Sequence, residues 1–356
     1  MDKVELLGKG VSEIEEFMSE MGEPRYRGRQ VHKWINQKTA SSFAEMTDLS
    51  QTLRKRLEEV ASLSLPVILK QRTSLDGTRK YLLQLFDGQE IECVAIPQGG
   101  HHSSRHTLCI STQVGCPLGC RFCATGKLGF RRNLKAYEIA GQVLAVRREL
   151  EREAGETGQD RIGNVVYMGM GEPLLNYNEV IKSVYILNDP QGLNIGQRHI
   201  TLSTAGDVTG IERLAREMMQ VTLAVSLHAC DDELRSRLMP INRKYPLAML
   251  MGAVKGYVAR TGRRVTFEYI LLAGINDRRQ DAENMAGLIG SLLANINLIP
   301  YNGVEDLPYC QPEAARVELF CRWLQKNGLN ATVRQERGAD IEAACGQLRA
   351  AREITL

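Results

Sequence analysis

No stretch of this sequence holds the ~18 consecutive apolar residues that a membrane-crossing helix needs, so no membrane partner is expected. The first residues, MDKVELLGKGVSEIEEF, lack the apolar centre of a secretory signal, and the chain reads as cytoplasmic. Glycine (32) and proline (11) are not in excess, which excludes collagen-like and low-complexity architectures. No internal repeat of roughly 20–50 residues is visible, so a solenoid is not expected. Net charge is only +3, too small by itself to announce a nucleic-acid binder. What remains is a globular chain of 356 residues, 43% hydrophobic and 24% charged. That length suits two domains of ~150 residues, or one large barrel with an appendage.

Local charge says more than net charge. Residues 101–137 carry Arg105, Arg121, Lys127, Arg131, Arg132 and Lys135 and no acid. Residues 24–33, PRYRGRQVHK, add four cations and again no acid. Either stretch alone reads equally well as a solvated face. Two of them, one surrounding a cysteine cluster, favour a polyanionic partner.

The first 97 residues read as an accessory module. Helical patterns cover 11–21, 29–37 and 49–61, the first opened by Ser12 and Glu15 as a capping box. Strands follow at 67–72, 79–86 and 89–96, separated by turns at Asp76-Gly77 and Asp87-Gly88. PQGGHHSS (97–104) is the linker. Beyond it, strand patterns at 106–112, 164–169, 199–204, 221–227, 265–272 and 296–301 alternate with helical ones at 136–153, 177–188, 208–219, 245–260, 278–294 and 312–327. Strand then helix, repeated, predicts parallel strands with right-handed crossovers. Two closures stay open: a doubly wound sheet, or a full or partial (β/α) barrel. In both, functional residues belong at the C-terminal ends of the strands. The expected division is 1–97, 98–330 and a C-terminal segment 331–356.

Nine cysteines is an odd number, and in a cytoplasmic chain they do not read as a disulfide framework. Cys93, Cys230, Cys310 and Cys321 sit singly and read as small buried hydrophobes. Cys116, Cys120 and Cys123 differ. They form C-x3-C-x2-C in GCPLGCRFCATG, directly after a strand. Gly115, Pro117 and Gly119 let three thiolates converge on one metal centre. A structural zinc needs four ligands, and a simple electron-transfer cluster usually has four cysteines. Three leave one coordination position open, as catalysis requires. Zinc with a remote fourth ligand is the competing reading.

This spacing, with Phe122 before the last cysteine, resembles the signature of radical S-adenosylmethionine (SAM) enzymes. The resemblance implies that the three cysteines hold a [4Fe–4S] cluster whose open iron binds SAM. One electron, from a flavodoxin- or ferredoxin-type reductant, then splits SAM into methionine and a 5′-deoxyadenosyl radical. It also implies an α/β fold, a partial (β/α)6 barrel with a small N-terminal α+β accessory domain. MGMGEPLLNY (168–177) is similar to the motif that takes the SAM amino group. There Gly169 and Gly171 permit close backbone approach, and Glu172 supplies an anion for an ammonium. Ser203, then Ser226, Leu227 and His228, then Asn302 end later strands and complete the implied SAM set.

Two outlying cysteines narrow the resemblance. Cys109 lies in the strand TLCIST, and Cys345 in RGADIEAACGQL, a small, polar segment suited to a mobile catalytic loop. Together with MPINRKYP (239–246) and YRGRQVHKWI (26–35), they resemble the RlmN/Cfr family of radical SAM RNA methyltransferases over roughly residues 10–350. An adenine carbon such as C2 is not nucleophilic, so direct methyl transfer to it is slow. The resemblance implies a detour. One SAM methylates Cys345, giving S-methylcysteine. A second supplies the radical that takes a hydrogen from that methyl. The methylene radical adds to the adenine carbon, and Cys109 releases the product by forming a transient disulfide with Cys345.

The same resemblance makes Glu92, in GQEIECVAIP, a proton acceptor, with Glu90 two residues away on the same face. It implies 23S rRNA as substrate, methylated at adenine C2, with tRNA as a second substrate. Arg25, Arg27, Arg29 and Lys33 beside Tyr26 and Trp34 would grip RNA backbone and stack bases, and Lys127, Arg131 and Arg132 would lie by the cluster. A monomer is expected. Three other readings stand: methylation of C8 of the same adenosine, which these motifs do not separate from C2; a radical SAM enzyme without the methyl-cysteine relay; and a zinc-stabilised RNA-binding protein.

Overall fold

The computed structural model describes residues 3–99, 104–155 and 160–349. Residues 100–103 of the expected linker and residues 350–356 of the C-terminal segment lie outside the described residues. The N-terminal unit runs from β1 (Val4–Glu5) through α1 (Val11–Glu20), α2 (Tyr26–Asn36) and α3 (Gln51–Val60) to β2 (Ala61–Ser62), which pairs with β1 in parallel. Ile14, Phe17 and Met18 on α1 and Val31 and Ile35 on α2 recur at helical spacing and are buried. The first helix is capped differently from the Ser12–Glu15 expectation. Glu13 accepts from the Gly10 backbone N–H at 2.8 Å. This unit has a core of its own, reaching the rest of the chain through Leu144.

The strands β3 (Val67–Thr73), β4 (Arg79–Gln84) and β5 (Glu90–Pro97) form an antiparallel meander. The sequence reading grouped them with the helices. Their hydrogen bonds place them in the sheet of the following domain: β5 pairs antiparallel with β6 (Arg105–Cys109), Val94 opposite Cys109. The reason is burial on both faces. β4 and β5 are nearly continuous buried runs, and Tyr81, Leu83, Ile91 and Cys93 lie in the larger core.

After β6 come β7 (Gln113–Gly115), the short helix α4 (Ala124–Lys127), β8 (Phe130–Asn133) and α5 (Ala136–Ala154). Then follow β9 (Arg161–Tyr167), α6 (Tyr177–Asn188), β10 (Ile200–Thr204), α7 (Val208–Glu217) and β11 (Thr222–Ser226). The chain continues with α8 (Asp232–Leu238), α9 (Leu247–Thr261), β12 (Val265–Leu271), α10 (Arg279–Ile289), β13 (Ala294–Pro300), α11 (Ala314–Lys326) and β14 (Ala331–Val333). Strands β6, β9, β10, β11, β12 and β13 lie side by side in chain order, all parallel. A doubly wound sheet reverses its order at a switch point. An order that runs one way, with helical crossovers of one hand, curls into a barrel wall. The wall stays open, because the ten-stranded sheet ends at β14 on one side and at β3 on the other. Strand β14, parallel to β13, was not expected from the sequence; only its first residue is buried.

Candidate active site

The cysteine loop is an excursion between two short strands. β7 and β8 form an antiparallel ribbon, with Gln113 opposite Asn133 and Gly115 opposite Phe130. Gly115 has φ +74°, and a Cβ there would sit 1.9 Å from the Gly129 carbonyl oxygen. Glycine is required on both counts. The Cys116 N–H closes the ribbon on that same carbonyl at 2.9 Å. Cys116, Cys120 and Cys123 line one cavity of about 160 Å³. Burial raises all three thiols, Cys116 to about 12. Such thiols stay protonated until a metal displaces the proton. Among the described residues no three His, Cys, Asp or Glu form a group that would hold a single ion. Three thiols arrayed around a shared cavity suit a larger, polynuclear group.

The same cavity is also lined by Gly169, Gly171, Glu172, Ser203, Ser226 and His228, all near or beyond the C-terminal ends of strands. Glu172 is buried. It accepts from the Ala205 N–H at 2.7 Å and the Leu174 N–H at 3.1 Å. Burial outweighs these bonds and lifts its carboxyl to about 7. Its own N–H donates to Gln113 at 2.9 Å, which locks this strand end to the cysteine ribbon. His228 sits at φ +58° with its Nδ1 accepting from the Ile270 N–H at 3.0 Å, so Nε2 carries the proton. Burial, then the nearby Arg235 charge, lower its pKa to about 3, and the ring is neutral. Phe122 packs edge-on against it, centroids 4.9 Å apart.

Arg235 holds these strand ends. Its fully buried guanidinium donates to the carbonyls of Ala205, Ser226 and Leu227 and to Asn242 Oδ1. The MPINRKYP motif is thereby explained: Asn242 secures Arg235 and also bonds Asp232 and Ser236. Leu227 is buried in the core and does not line the cavity, so only its backbone could serve a ligand.

Cys109 and Cys345, distant in sequence, line a second cavity of about 110 Å³. Met168, Ile299, Arg334, Cys345 and Gly346 line both cavities. Both sulfurs are free thiols. Burial, then proximity to Cys345, raises Cys109 to about 12. Asn302 lies on the second cavity and donates to the Cys345 carbonyl at 3.3 Å. Glu92 lines neither cavity. It is buried on β5, 3.4 Å from Lys80 Nζ, and accepts from the Arg349 N–H at 2.9 Å. Glu90 lies in a separate groove with Arg131.

Two charged residues of the first cavity escaped the sequence reading, Glu268 and Arg334. Glu268 stands opposite Ser226 on β12, and Asn297 donates to it at 3.0 Å. Its signal was present: a carboxylate inside the apolar run VTFEYILL. Arg334, just past an unexpected strand, gave none.

The basic faces are partly spent on the protein itself. Arg25 and Arg29 pair with Glu15 at 3.7 and 3.0 Å. Trp34 donates to Asp48, and Lys38 lies over its ring. Arg132 is held by Glu138 and Asp87. Exposed pairs are worth only about 0–1 kcal/mol, so a phosphate can displace those on α2. Among the single cysteines, Cys93 and Cys321 are buried as expected and Cys230 is half-buried; Cys310 is exposed, since it lies in the irregular stretch before α11.

A one-way parallel barrel with a three-cysteine loop at the C-terminal ends of its strands defines a radical SAM enzyme, and residues 110–286 match the radical SAM superfamily. Residues 4–63 match the ribosomal RNA large subunit methyltransferase N-terminal domain. A Syntrophomonas wolfei protein, named a probable dual-specificity RNA methyltransferase RlmN, is 58% identical over 98% of each chain. One of the same name from Moorella thermoacetica is 50% identical over 99% of each. The crystal structure of a radical SAM methyltransferase from Sphaerobacter thermophilus superimposes with a TM-score of 0.92 at 46% identity, covering 98% of this chain and 100% of that one. The chain belongs to the RlmN family of radical SAM methyltransferases, which work with a [4Fe–4S] cluster and SAM.

Proposed function

We propose that this protein methylates C2 of an adenosine in 23S rRNA, and of one in tRNA, through an S-methylcysteine on Cys345. The observation that supports this is the shared wall. Cys345 faces the three-cysteine cavity on one side and Cys109 on the other. When bound at Cys116, Cys120 and Cys123, the cluster supplies the electron for reductive cleavage of SAM. The chain's own residues do the rest. Glu172 receives the SAM ammonium. Gly171, Ser203, Ser226, the Leu227 backbone, the His228 Nε2–H and Asn302 orient the remainder. Cys345 takes the methyl group of one SAM by displacement at the methyl carbon and holds it where a second SAM and the base can both reach it. Cys109 then attacks the Cys345 sulfur: the sulfur–methylene bond breaks, the methylene carbon takes the Cys109 proton to become the product's methyl group, and the disulfide closes as the one excess electron returns to the electron-transfer partner. Glu92 serves as proton acceptor once the Arg349 N–H releases it.

In this reading the N-terminal unit that ends at β2 grips RNA, the domain built on the ten-stranded sheet carries the SAM chemistry, and the segment after β14 presents Cys345. A flavodoxin- or ferredoxin-type protein supplies electrons, and the enzyme works as a cytoplasmic monomer. The test is nucleoside mass spectrometry after anaerobic incubation of reconstituted enzyme with unmodified 23S rRNA, SAM and reductant. 2-Methyladenosine is expected. 8-Methyladenosine would overturn the C2 assignment. Formation of 5′-deoxyadenosine with neither product would overturn the substrate. Cys345→Ala is expected to make no methyladenosine, and full activity in that variant would end the relay.

A further inference from the structure

Arg334 is the one charged side chain among the five residues that line both cavities. Its backbone is fixed, since its N–H donates to the Leu298 carbonyl at 2.8 Å just past β14. Its side chain is not used up. Its one hydrogen-bond partner among the described residues is the weak acceptor Met168 Sδ, 3.9 Å from Nη1. A guanidinium carries five N–H donors in a rigid fork. A guanidinium stays cationic even when buried, and the Glu268 carboxylate on the same cavity wall favours the charge. A cation with unspent donors, built into the wall between two cavities, points to a ligand rich in acceptors.

We propose that Arg334 grips the target adenine, donating from its guanidinium to a ring nitrogen that flanks the carbon being methylated. The inference rests on the methyl-cysteine reading above. In that reading the reacting carbon must meet the methyl carried by Cys345, and Arg334 shares that wall. Adenine C2 lies between N1 and N3, both acceptors. A cationic donor on either draws electron density from C2. A carbon radical next to sulfur is electron-rich and adds fastest to an electron-poor ring. The proton stays on Arg334, so the contact polarises the ring without transferring a proton.

The test uses reconstituted full-length enzyme and a short RNA whose target adenosine is replaced by 1-deazaadenosine or 3-deazaadenosine. Transfer from enzyme already methylated at Cys345 is followed in a single turnover. One of the two analogues is expected to slow the wild type by roughly 10- to 100-fold, the worth of a charge-assisted hydrogen bond. Arg334→Gln should lose a similar factor on natural RNA and nothing further on that analogue, with Arg334→Lys between. Cys345 methylation, read by peptide mass spectrometry, should be unchanged in both variants. If neither analogue slows the wild type, the proposal fails whatever the variants do. It also fails if Arg334→Gln still pays the full analogue penalty, or if it loses Cys345 methylation while iron content and melting temperature hold, since the guanidinium then serves the thiol. Wild-type enzyme that never carries a methyl on Cys345 would overturn the relay itself, before Arg334 is at issue.

Discussion

Replacing Gly115 with alanine should empty the metal site without unfolding the protein. The backbone there has φ +74°, a conformation that costs a residue with a Cβ about 1–2 kcal/mol. The new Cβ would lie 1.9 Å from the Gly129 oxygen and 3.0 Å from its carbon. Backbone cannot yield as a side chain tip does, so the β7–β8 ribbon must part at this end. Parting it loses the bond from the Cys116 N–H to that oxygen, about 1 kcal/mol. The sum, about 2–3 kcal/mol, lowers the population of the correctly folded loop by roughly 30- to 150-fold. Gly119→Ala is the control. It too has positive φ, +62°, but nothing lies within 4 Å of its added Cβ, so it carries the strain without the collision. Iron per chain and visible absorption after anaerobic reconstitution are the assay, with the melting temperature of the metal-free protein beside them. Gly119→Ala should keep most of its iron. Gly115→Ala should keep little, while its apo melting point falls by only a few degrees. Full iron loading in Gly115→Ala, or equal losses in the two variants, would refute the reasoning.

Arg235→Met leaves the carbonyls of Ala205, Ser226 and Leu227 without their buried donor; a loss of about 3 kcal/mol is expected, read from denaturant melts, and an unmoved midpoint would show that these strand ends stand alone. His32, on α2, is 3.0 Å from Asp189 across the join between the N-terminal unit and the barrel. Burial outweighs Asp189 and holds its pKa below the ordinary 6.5, so the folded state prefers the neutral ring. Its contribution is therefore full above pH 6.5 and is lost as pH falls below that value. The protection of α2 amides, corrected for the intrinsic pH dependence of exchange, should fall as pH drops below 6.5 in the wild type and lose that pH dependence in His32→Gln. Iodoacetamide applied to the folded protein should label Cys310 and spare Cys93 and Cys321; the reverse order would contradict the packing.

The barrel was legible because its strands are apolar runs between amphipathic helices, a pattern that burial on both faces enforces. The cysteine loop and the Glu172 turn were legible because chemistry there needs adjacent residues. What escaped notice depends on register and distant contact. The meander's attachment to β6 follows from hydrogen bonds that leave no composition signal. β14 is three residues long with two exposed, too short and too polar to read as a strand. Arg334 gains its place only because that strand pairs with β13. Glu92 shows the opposite case. Its motif is readable, but its side chain is engaged by Lys80 and the Arg349 backbone, which no local pattern could reveal.

The meander also explains how Cys345 is held, which the sequence treated as a matter of a mobile loop. The segment carrying Cys345 crosses the open side of the barrel, between β14 and the strands β3 to β5. Asp340 accepts from the Ser74 hydroxyl at 2.6 Å, the Gly338 N–H donates to Asp76 at 3.1 Å, and Lys80 donates to the Glu342 carbonyl at 3.1 Å. Past Cys345 the partners change. Gly346 accepts from the Ala124 N–H at 2.7 Å, and Leu348 from the Thr125 hydroxyl, both in the helix that closes the cysteine loop. Cys345 is thus suspended between the meander and the metal loop. A segment fixed at both ends places one sulfur between two cavities with small positional error. Glu92 is engaged separately, by Lys80 and by the Arg349 N–H. A partner that opens the site from the meander side has to break the three bonds to the meander together with the Leu75 N–H to Asp340 bond at 3.3 Å and the Arg337–Asp76 pair at 3.9 Å, each worth about 1 kcal/mol or less, while the Gly346 and Leu348 side stays. Asp340→Ala together with Asp76→Ala should loosen that side in advance, raising protease cleavage within residues 334–342 with iron content unchanged; a segment no easier to cut would mean that the bonds at 346–348 alone hold it.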